Sequence, residues 1–360
     1  MLVIDSHLDL AWNAIQWNRN LLLSAYTLRT REQSLTEKGR AQNTVCLPEM
    51  RRGRVALCFA TVLARSTGIV THHVDYASPT QTYAAGQSHV AYYRALEREG
   101  HIRIIARLDA LDSHLAEWQA WDAAHPAESE DTPPLGFVIS MESADPILSP
   151  DQLEGWVLAG LRVIGPAHYG PGRYAGGTGT EAGLSEIGVQ LLKEMERLGV
   201  ILDLTHFSDQ AFWQALDHFG GPVLASHNNC RALVPHQRQF SDKQLKAIIA
   251  RGGVIGAAFD VWMLIPDWNR GVSTNREASI ETVANHIDHI SQLAGNSAHA
   301  AIGSDLDGGF GREQSPHDLD TIADLQKVAV ALEKRGWKPA DITAVMHGNW
   351  ARLLRKAWGS

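Results

Sequence analysis

Several short segments of the sequence combine an apolar run with a histidine or a carboxylate near its end. IDSHLD places His7 and Asp9 two residues apart, and VISMES, ILDLTH, VLASH and IGSDLD carry Glu142, His206, His227 and Asp305. On a strand, residues two apart point to the same face, so His7 and Asp9 are expected to act together. Imidazole and carboxylate ligands without a thiolate suit Zn²⁺, with Mn²⁺, Fe²⁺ and Co²⁺ as alternatives. The residue types therefore indicate a metal centre.

The number of candidate ligands indicates two metal ions. Five ligand candidates together with Asp305 exceed what one tetrahedral catalytic ion needs. Two ions that share a carboxylate, roughly 3.5 Å apart, can hold a bridging hydroxide at neutral pH and polarise a carbonyl group. The predicted chemistry is hydrolysis. A serine hydrolase is disfavoured, because Ser226 and Thr205 precede the histidines without an evident base to activate them.

The elements that must position these residues are short hydrophobic runs, which are typical of strands covered on both faces. Segments with apolar residues at helical spacing separate most of them, as in Ser185–Leu198 and Ile280–Leu293. Alternating strands and helices predict the α/β class and a (β/α)8 TIM barrel, one catalytic domain over residues 1–360. The eight runs are Leu2–His7, Val55–Leu63, Leu135–Glu142, Leu161–His168, Val200–His206, Pro222–His227, Val254–Phe259 and Ala300–Asp305.

The barrel would bring the polar residues together, because the carboxyl ends of its strands meet on one face. Six of the eight runs end in His, Asp or Glu. On the first strand, Ile4, Leu8 and Leu10 are expected to face the outer helices. A ninth strand-like run, Ile102–Leu108, has no assigned place. The glycine-rich stretch Gly170–Gly179 lacks the G-K-[ST] ending of a phosphate loop, so a flexible segment over the mouth of the site is expected.

Composition excludes several other functions. The 360 residues are 44% hydrophobic and carry 32 Lys and Arg against 40 Asp and Glu, a net charge of -8. This charge disfavours nucleic acid and anionic membranes as partners. The segment MLVIDSHLDLAW does not read as a signal peptide and Cys46, Cys58 and Cys230 form no C-x-x-C, so a cytoplasmic protein is expected. His72 and His73 lie in a polar stretch and are predicted to be surface residues rather than ligands.

The motifs resemble those of a known family, the membrane (renal) dipeptidases of peptidase family M19, a binuclear-zinc branch of the amidohydrolase-like barrels. The similarity runs from His7 and Asp9 through LDLTHFSD, the stretch ASHNNCRALVPHQRQFSDKQLKAIIARGGVIG and IGSDLDGG to GNWARLL near the end of the sequence. It covers essentially the whole chain. The separation between THFS and SH, followed by H-x-R and RGGVIG, is specific.

The resemblance implies a role for each site residue. His7 and Asp9 would bind one zinc ion, His206 and His227 the other, and Glu142 would bridge them, giving two zinc ions per chain. His168 would contact the substrate and stabilise the tetrahedral oxyanion, and Asp305 would handle the proton. Arg238 would receive the terminal carboxylate of a dipeptide, for which a planar guanidinium is well shaped. The implied reaction is attack of the bridging hydroxide on an L-Xaa-L-Xaa or L-Xaa-D-Xaa dipeptide.

Three positions depart from the family pattern. Gln239 follows the carboxylate-binding arginine, where relatives often have Asn, and Ser143 replaces the usual glycine after the bridging glutamate. Asp260 stands where many relatives have a tyrosine near the carboxylate end of the substrate. An acid there would repel that carboxylate unless a cation intervenes. Asp260 is therefore predicted to contact the substrate and to favour a basic second residue or a non-dipeptide amide.

Two alternatives to a dipeptidase stay open. One is another metal-dependent amidohydrolase, such as a deaminase or a lactonase, although many of these use a carboxylated lysine as the bridge and no predicted strand ends in lysine. The other is a metal-binding barrel that has lost catalysis, which the full set of ligand candidates argues against. No membrane attachment is implied. Family habit and eleven tryptophans favour a homodimer.

Overall fold

The computed structural model describes residues 1–68, 74–125 and 131–359. Within them the strands are β1 (Val3–Leu8), β2 (Val55–Leu63), β3 (Ile102–Ile104), β4 (Leu135–Glu142), β5 (Leu161–Gly165), β6 (Ile201–Asp203), β7 (Val223–Leu224), β8 (Ile255–Ala257) and β9 (Ala300–Ile302). The prediction for His72 and His73 lies outside the described residues.

Helices follow most of the strands, as the alternating sequence pattern predicts. They are α1 (Leu10–Ile15), α2 (Ala25–Arg31), α3 (Leu47–Arg52), α4 (Pro79–Arg98), α5 (Leu108–Ala124), α6 (Leu153–Leu158), α7 (Glu186–Arg197), α8 (Asp209–His218), α9 (Asp242–Ala250), α10 (Ile280–Ala294), α11 (Gln326–Lys334), α12 (Pro339–Thr343) and α13 (Asn349–Trp358). Gly295 ends α10 in the left-handed conformation that glycine adopts without steric cost.

The strands form a nearly closed parallel barrel, which confirms the predicted (β/α)8 fold. The order of hydrogen-bonded neighbours is β7-β6-β5-β4-β2-β1-β9-β8. A parallel bridge between Ala225 and Ile255 connects the two ends of this order. The unassigned ninth run supplies β3, which pairs with residues 135–137 of β4, while β5 pairs with residues 139–142. β3 is thus an extra strand at the base of the barrel wall.

The barrel interior is packed with side chains and closed at its base by α13. Strands all round the barrel contribute to the inner core, with Ile4, Leu57, Phe59, Val138, Val163, Ile201, Leu224 and Ala301. Trp350 of α13 belongs to the same core, lies 5.4 Å from Phe59 between ring centroids, and donates a hydrogen bond from Nε1 to the Ile302 carbonyl at 2.9 Å. The opposite end of the barrel is therefore the end left for a site.

The predicted orientation of the first strand is wrong at Ile4. Leu8 and Leu10 do pack in the outer core against the helices, but Ile4 packs in the inner core. The strict two-residue alternation fails because the register of β1 against β2 shifts between Asp5 and Leu8.

Five of the predicted strands are too long at their carboxyl ends. β5, β6, β7 and β9 each end three residues before the polar residue that closes the predicted run, and β8 ends two residues before Phe259. The chain turns out of the sheet there, and His206 and Asp305 have φ angles of 67° and 58°. Such left-handed values are uncommon outside glycine and are found at functional sites.

Candidate metal centre

The carboxyl-terminal face of the barrel gathers the predicted metal ligands. His7 and Glu142 lie at the ends of β1 and β4, and Asp9 lies at the amino end of α1. His206 and His227 lie in the turns after β6 and β7. All five side chains are buried.

Glu142 is at the centre of the cluster. One carboxylate oxygen, Oε1, lies 3.2 Å from His206 Nε2 and 3.3 Å from His227 Nε2. The other, Oε2, lies 3.6 Å from His7 Nε2, which is also 3.7 Å from Asp9 Oδ2. The potential ligand atoms of His7, Asp9 and Glu142 lie within 4.8 Å of one another, as do those of Glu142, His206 and His227. Two ligand groups therefore share Glu142.

The donor set fits metal ions. His7 Nε2, Asp9 Oδ1 and Glu142 Oε1 are buried and have no hydrogen-bond partner, although buried polar atoms in proteins are nearly always satisfied. Among the residues that the structure describes, the ion-pair partners of Asp9, Glu142 and Asp305 are all imidazoles. Two buried carboxylates and the partly buried Asp305, without a Lys or Arg partner among the described residues, need other positive charge, and divalent cations supply it.

Burial and neighbouring charges shift the pKa values within the cluster. Burial lowers the pKa of His206 and His227 well below 6.5, so both imidazoles are neutral and can ligate a metal. Burial raises the pKa of Asp305 well above 3.8, and the like charges of Glu142 and Asp9 add to this effect while His7 opposes it. For Glu142 burial acts in the same direction, but contacts with four imidazoles outweigh it and hold its pKa well below 4.5.

Two buried aspartates beneath the cluster hold the ends of neighbouring strands together. Asp5 Oδ1 accepts hydrogen bonds from the backbone N–H groups of His7 and Ser304, at 3.2 and 2.9 Å. Asp203 Oδ1 accepts from those of Thr205 and Ser226, both at 3.0 Å. Each aspartate thus fixes two chain segments that carry site residues. Sequence reasoning missed both, although a charged residue inside an apolar run, as in VIDSH and ILDLTH, is a readable signal.

Hydroxyl groups orient two of the histidines from behind. Thr178 Oγ1 lies 3.0 Å from His206 Nδ1, and Ser226 Oγ lies 2.9 Å from His227 Nδ1. A partner on Nδ1 fixes the ring and leaves Nε2 directed at the metal position. Neither hydroxyl was identified from the sequence as a partner of a histidine. Thr178 lies 28 residues from His206 along the chain, and Ser226, which directly precedes His227, was considered only as a nucleophile.

The glycine-rich stretch folds back on itself in a loop held by backbone bridges, and its flexibility stays a prediction. Bridges join Tyr169 to Thr178 and Pro171 to Gly176. A Cβ atom at Gly177 would lie 1.8 Å from the His168 carbonyl oxygen, so only glycine permits this approach. The glycines allow close backbone packing that carries Thr178 to His206 and supports His168.

A pocket of about 510 Å³ opens in front of the cluster, within the size range of small-molecule sites. His168, Arg238, Asp260 and Asp305 all contribute to its lining, together with aromatic side chains such as Trp262. His168 Nε2 lies 3.7 Å from Glu142 Oε2, and Asp305 Oδ1 lies 3.8 Å from His7 Nε2. The cavity is thus lined by the residues predicted for the site except His7, which lies against Glu142 in the cluster.

Arg238 is a buried cation without a carboxylate partner among the described residues. It donates from Nη1 to Asn228 Oδ1 at 2.6 Å and from Nη2 to the His227 carbonyl at 2.9 Å, while its Nε–H has no partner. Its backbone N–H donates to His236 Nδ1 at 3.0 Å. The next residue, Gln239, points elsewhere and donates to the Met263 carbonyl at 2.7 Å. The guanidinium group is therefore available to an anion in the pocket.

Asp260 places a carboxyl group on the same pocket. Its Oδ1 accepts hydrogen bonds from Gln314 Nε2 at 2.6 Å and from the Trp262 backbone at 3.4 Å. In the described part of the chain, no side-chain cation lies within ion-pair distance of Asp260. Burial raises the pKa of Asp260 to about 6, although Gln314 and the charges of Arg270 and Lys38 oppose the rise.

The fold and the site together define a (β/α)8 metal-dependent hydrolase. The family model described as membrane dipeptidase, peptidase family M19, matches residues 1–358. The chain therefore belongs to the membrane dipeptidase family and is a metallo-dipeptidase by family.

The chain is also similar to individual proteins and to a solved structure. An uncharacterised protein encoded in the pqqA 5' region of Klebsiella pneumoniae is 32% identical over 214 residues, which are 57% of this chain and 76% of that protein. Dipeptidase tcpJ of Claviceps purpurea is 32% identical over 201 residues, 55% of this chain and 45% of that protein. A metallo peptidase from Rhodobacter sphaeroides, solved with a phosphinate mimic of the dipeptide L-Ala-D-Ala, is 23% identical with a TM-score of 0.77, covers 99% of each chain and shares the fold.

None of the helices in the described residues combines the length and the apolar character that a membrane crossing requires.

Proposed function

We propose that the protein is a zinc-dependent dipeptidase that cleaves L-Xaa-L-Xaa or L-Xaa-D-Xaa dipeptides. The observation that carries the proposal is the presence in one pocket of a buried, Glu142-centred ligand cluster and of the Arg238 guanidinium group, which has no carboxylate partner among the described residues. Arg238 donates to the carbonyl of His227, itself a candidate ligand. An anion on Arg238 would therefore sit next to the cluster. This suits a substrate whose scissile bond is one residue from its carboxylate.

Different residues would bind each of the two metal ions. His7 and Asp9 would hold one zinc ion, His206 and His227 the other, and Glu142 would bridge them. When bound, zinc lowers the pKa of water to near neutrality and polarises a carbonyl group. The two hydroxyl partners of the histidines keep the ring nitrogens directed inward.

Three further residues act on the substrate. Arg238 binds the terminal carboxylate with N–H groups that its protein partners leave free. His168 directs its Nε2 into the pocket, where it donates to the carbonyl oxygen as negative charge develops there. Asp305 lies at the edge of the cluster and is more exposed than its neighbours, so it can take a proton and pass it to the leaving amine.

Asp260 would select the second residue of the dipeptide. Its carboxyl group lies on the pocket that holds Arg238, and only Oδ1 has hydrogen-bond partners among the described residues. A lysine or arginine side chain would supply the cation that this buried carboxylate lacks. Neutral second residues would leave its charge uncompensated, so a basic residue is the preferred one.

The test is a panel of dipeptides offered to the purified, zinc-loaded protein. Release of free amino acids from dipeptides is expected, with the highest kcat/KM for lysine or arginine in second position, and metal analysis should give two zinc ions per chain. The matched control is Glu142→Gln, which removes the shared charge and should lower both metal content and turnover. A zinc-replete protein that leaves every dipeptide intact but hydrolyses another amide would favour the other amidohydrolases. One inert to both would favour a barrel without catalysis.

A further inference from the structure

Arg65 contacts His168 from the side opposite the metal cluster. It follows β2 and is buried. Its Nη1 donates to His168 Nδ1 at 2.8 Å and to the Tyr169 carbonyl at 3.2 Å. Its Nη2 forms an ion pair with Asp75. One guanidinium group therefore connects the ring of His168 to a carboxylate outside the pocket.

The chemistry of this contact determines the tautomer of His168. A guanidinium group has five N–H donors and no acceptor, so Nδ1 of His168 must be the acceptor. A neutral imidazole with its lone pair on Nδ1 carries its proton on Nε2. Since Nε2 is the atom that lies 3.7 Å from Glu142 Oε2, an N–H group points into the site.

The other two histidines near Glu142 are oriented by a different kind of partner. Thr178 Oγ1 also donates to the His206 carbonyl at 3.3 Å, so its oxygen can accept from His206 Nδ1. Ser226 Oγ can accept from His227 Nδ1 in the same way. These rings then have a lone pair on Nε2, which a metal requires. Hydroxyl partners thus select ligands, and the guanidinium partner selects a hydrogen-bond donor.

Further hydrogen bonds fix both Asp75 and the backbone of Arg65. Asp75 is buried, and its Oδ1 also accepts from Thr67 Oγ1 at 2.9 Å. The backbone of Arg65 pairs with its surroundings through Arg65 N–H to the Val74 carbonyl and Tyr76 N–H to the Arg65 carbonyl, both at 2.8 Å. Thr82 Oγ1 donates to the same Arg65 carbonyl at 3.2 Å. Side chain and backbone are therefore both fixed.

We propose that Arg65 is a positioning residue that keeps His168 protonated on Nε2, so that His168 serves as a hydrogen-bond donor to the substrate and not as a metal ligand. Asp75 fixes the guanidinium group in the orientation that this needs. The catalytic consequence rests on the proposed dipeptidase function. The tautomer itself does not.

The first test observes the tautomer directly. The zinc-loaded protein is labelled with 15N-histidine, and two-bond 1H–15N spectra are recorded, with His168 assigned by His168→Gln. The expected pattern is Nε2-protonated His168 in the wild type and loss of that pattern in Arg65→Met. A wild-type His168 protonated on Nδ1, or an unchanged pattern in Arg65→Met, would overturn the proposal. Because this readout needs no substrate, it stands even if no dipeptide is cleaved.

The second test is kinetic. Arg65→Met should lower kcat by about tenfold to a hundredfold, with zinc content and KM near wild type, as is usual for removal of a group that orients a functional histidine. Arg65→Lys retains a donor and should recover part of kcat. The matched control is Arg94→Met, which removes an arginine that donates to the Ala159 carbonyl far from the site, and it should leave kcat unchanged.

A second variant, which keeps the guanidinium group, controls for misfolding of Arg65→Met. Asp75→Asn removes the ion pair but leaves Arg65 able to donate, so the tautomer should persist while kcat falls by less than in Arg65→Met. Circular dichroism confirms that each variant is folded. If kcat of folded Arg65→Met stays within about twofold of wild type, Arg65 has no positioning role.

Discussion

The replacement of Arg238 by methionine tests carboxylate recognition. Two of the five N–H groups of Arg238 are used by Asn228 and the His227 carbonyl, which leaves three for a ligand. A hydrogen bond to a charged group contributes about 1.5–3 kcal/mol. Two such bonds to a carboxylate amount to about 3–4 kcal/mol once geometry is imperfect, which corresponds to a loss of about 10²–10³-fold in kcat/KM.

The assay must separate this loss from damage to His227. Methionine leaves the His227 carbonyl without its donor, so kcat can fall for every substrate. The informative quantity is therefore the ratio of kcat/KM for a dipeptide to that for its carboxamide, in which a common loss cancels. The ratio should fall by about 10²–10³-fold in Arg238→Met and by much less in Arg238→Lys, which keeps the charge. Equal losses for the acid and the amide would refute carboxylate binding by Arg238.

Four other changes have defined outcomes. Asp305→Asn should lower kcat at least about a hundredfold while zinc content stays near wild type, as general acid–base roles contribute 10²–10⁴-fold; normal turnover would remove Asp305 from proton transfer. The charges of Lys38 and Arg270 act on Asp260 as well, and this acid ionises as pH rises through about 6. The preference for lysine over the uncharged norleucine should therefore grow over that range, reach about tenfold or more, and vanish in Asp260→Asn. A preference independent of pH would exclude Asp260 as its source. Trp350→Ala should lower the free energy of unfolding in urea by about 3–5 kcal/mol, and a loss below about 1 kcal/mol would mean that the base of the barrel repacks. Ser143, with φ of 64°, is strained relative to glycine, so Ser143→Gly should raise the free energy of unfolding by about 0.5–1 kcal/mol, and a decrease on calorimetry would contradict this.

Much of the fold could be predicted because long buried strands have a simple sequence signature. β2 and β4 match their predicted runs at both ends, and every residue in each is buried. The strand ends at the site were predicted less well, since residues such as His206 turn out of the sheet with unusual φ angles while staying buried. Hydrophobicity reports burial, and burial continues beyond the last ladder hydrogen bond.

Within the site, only the residues expected to contact a metal ion or the substrate could be predicted from the sequence. Residues whose types bind metals or anions, such as His227 and Arg238, could be read from the sequence and from the family resemblance. The groups that orient them could not, because Arg65 and Thr178 reach their histidines across 103 and 28 residues. Contacts of this kind depend on the packing of loops, and single-sequence patterns carry no information about such pairs.

The position of β1 between β2 and β9 affects how the protein acquires its metal. His7 precedes β9 by nearly three hundred residues along the chain, yet β1 pairs with β9 through Asp5 and Ile302. Closing so long a loop is slow. A nascent chain thus displays His7 before the other ligands can surround an ion, and high-affinity metal capture should coincide with the last step of folding. The time at which the protein takes up metal would then report when the barrel closes.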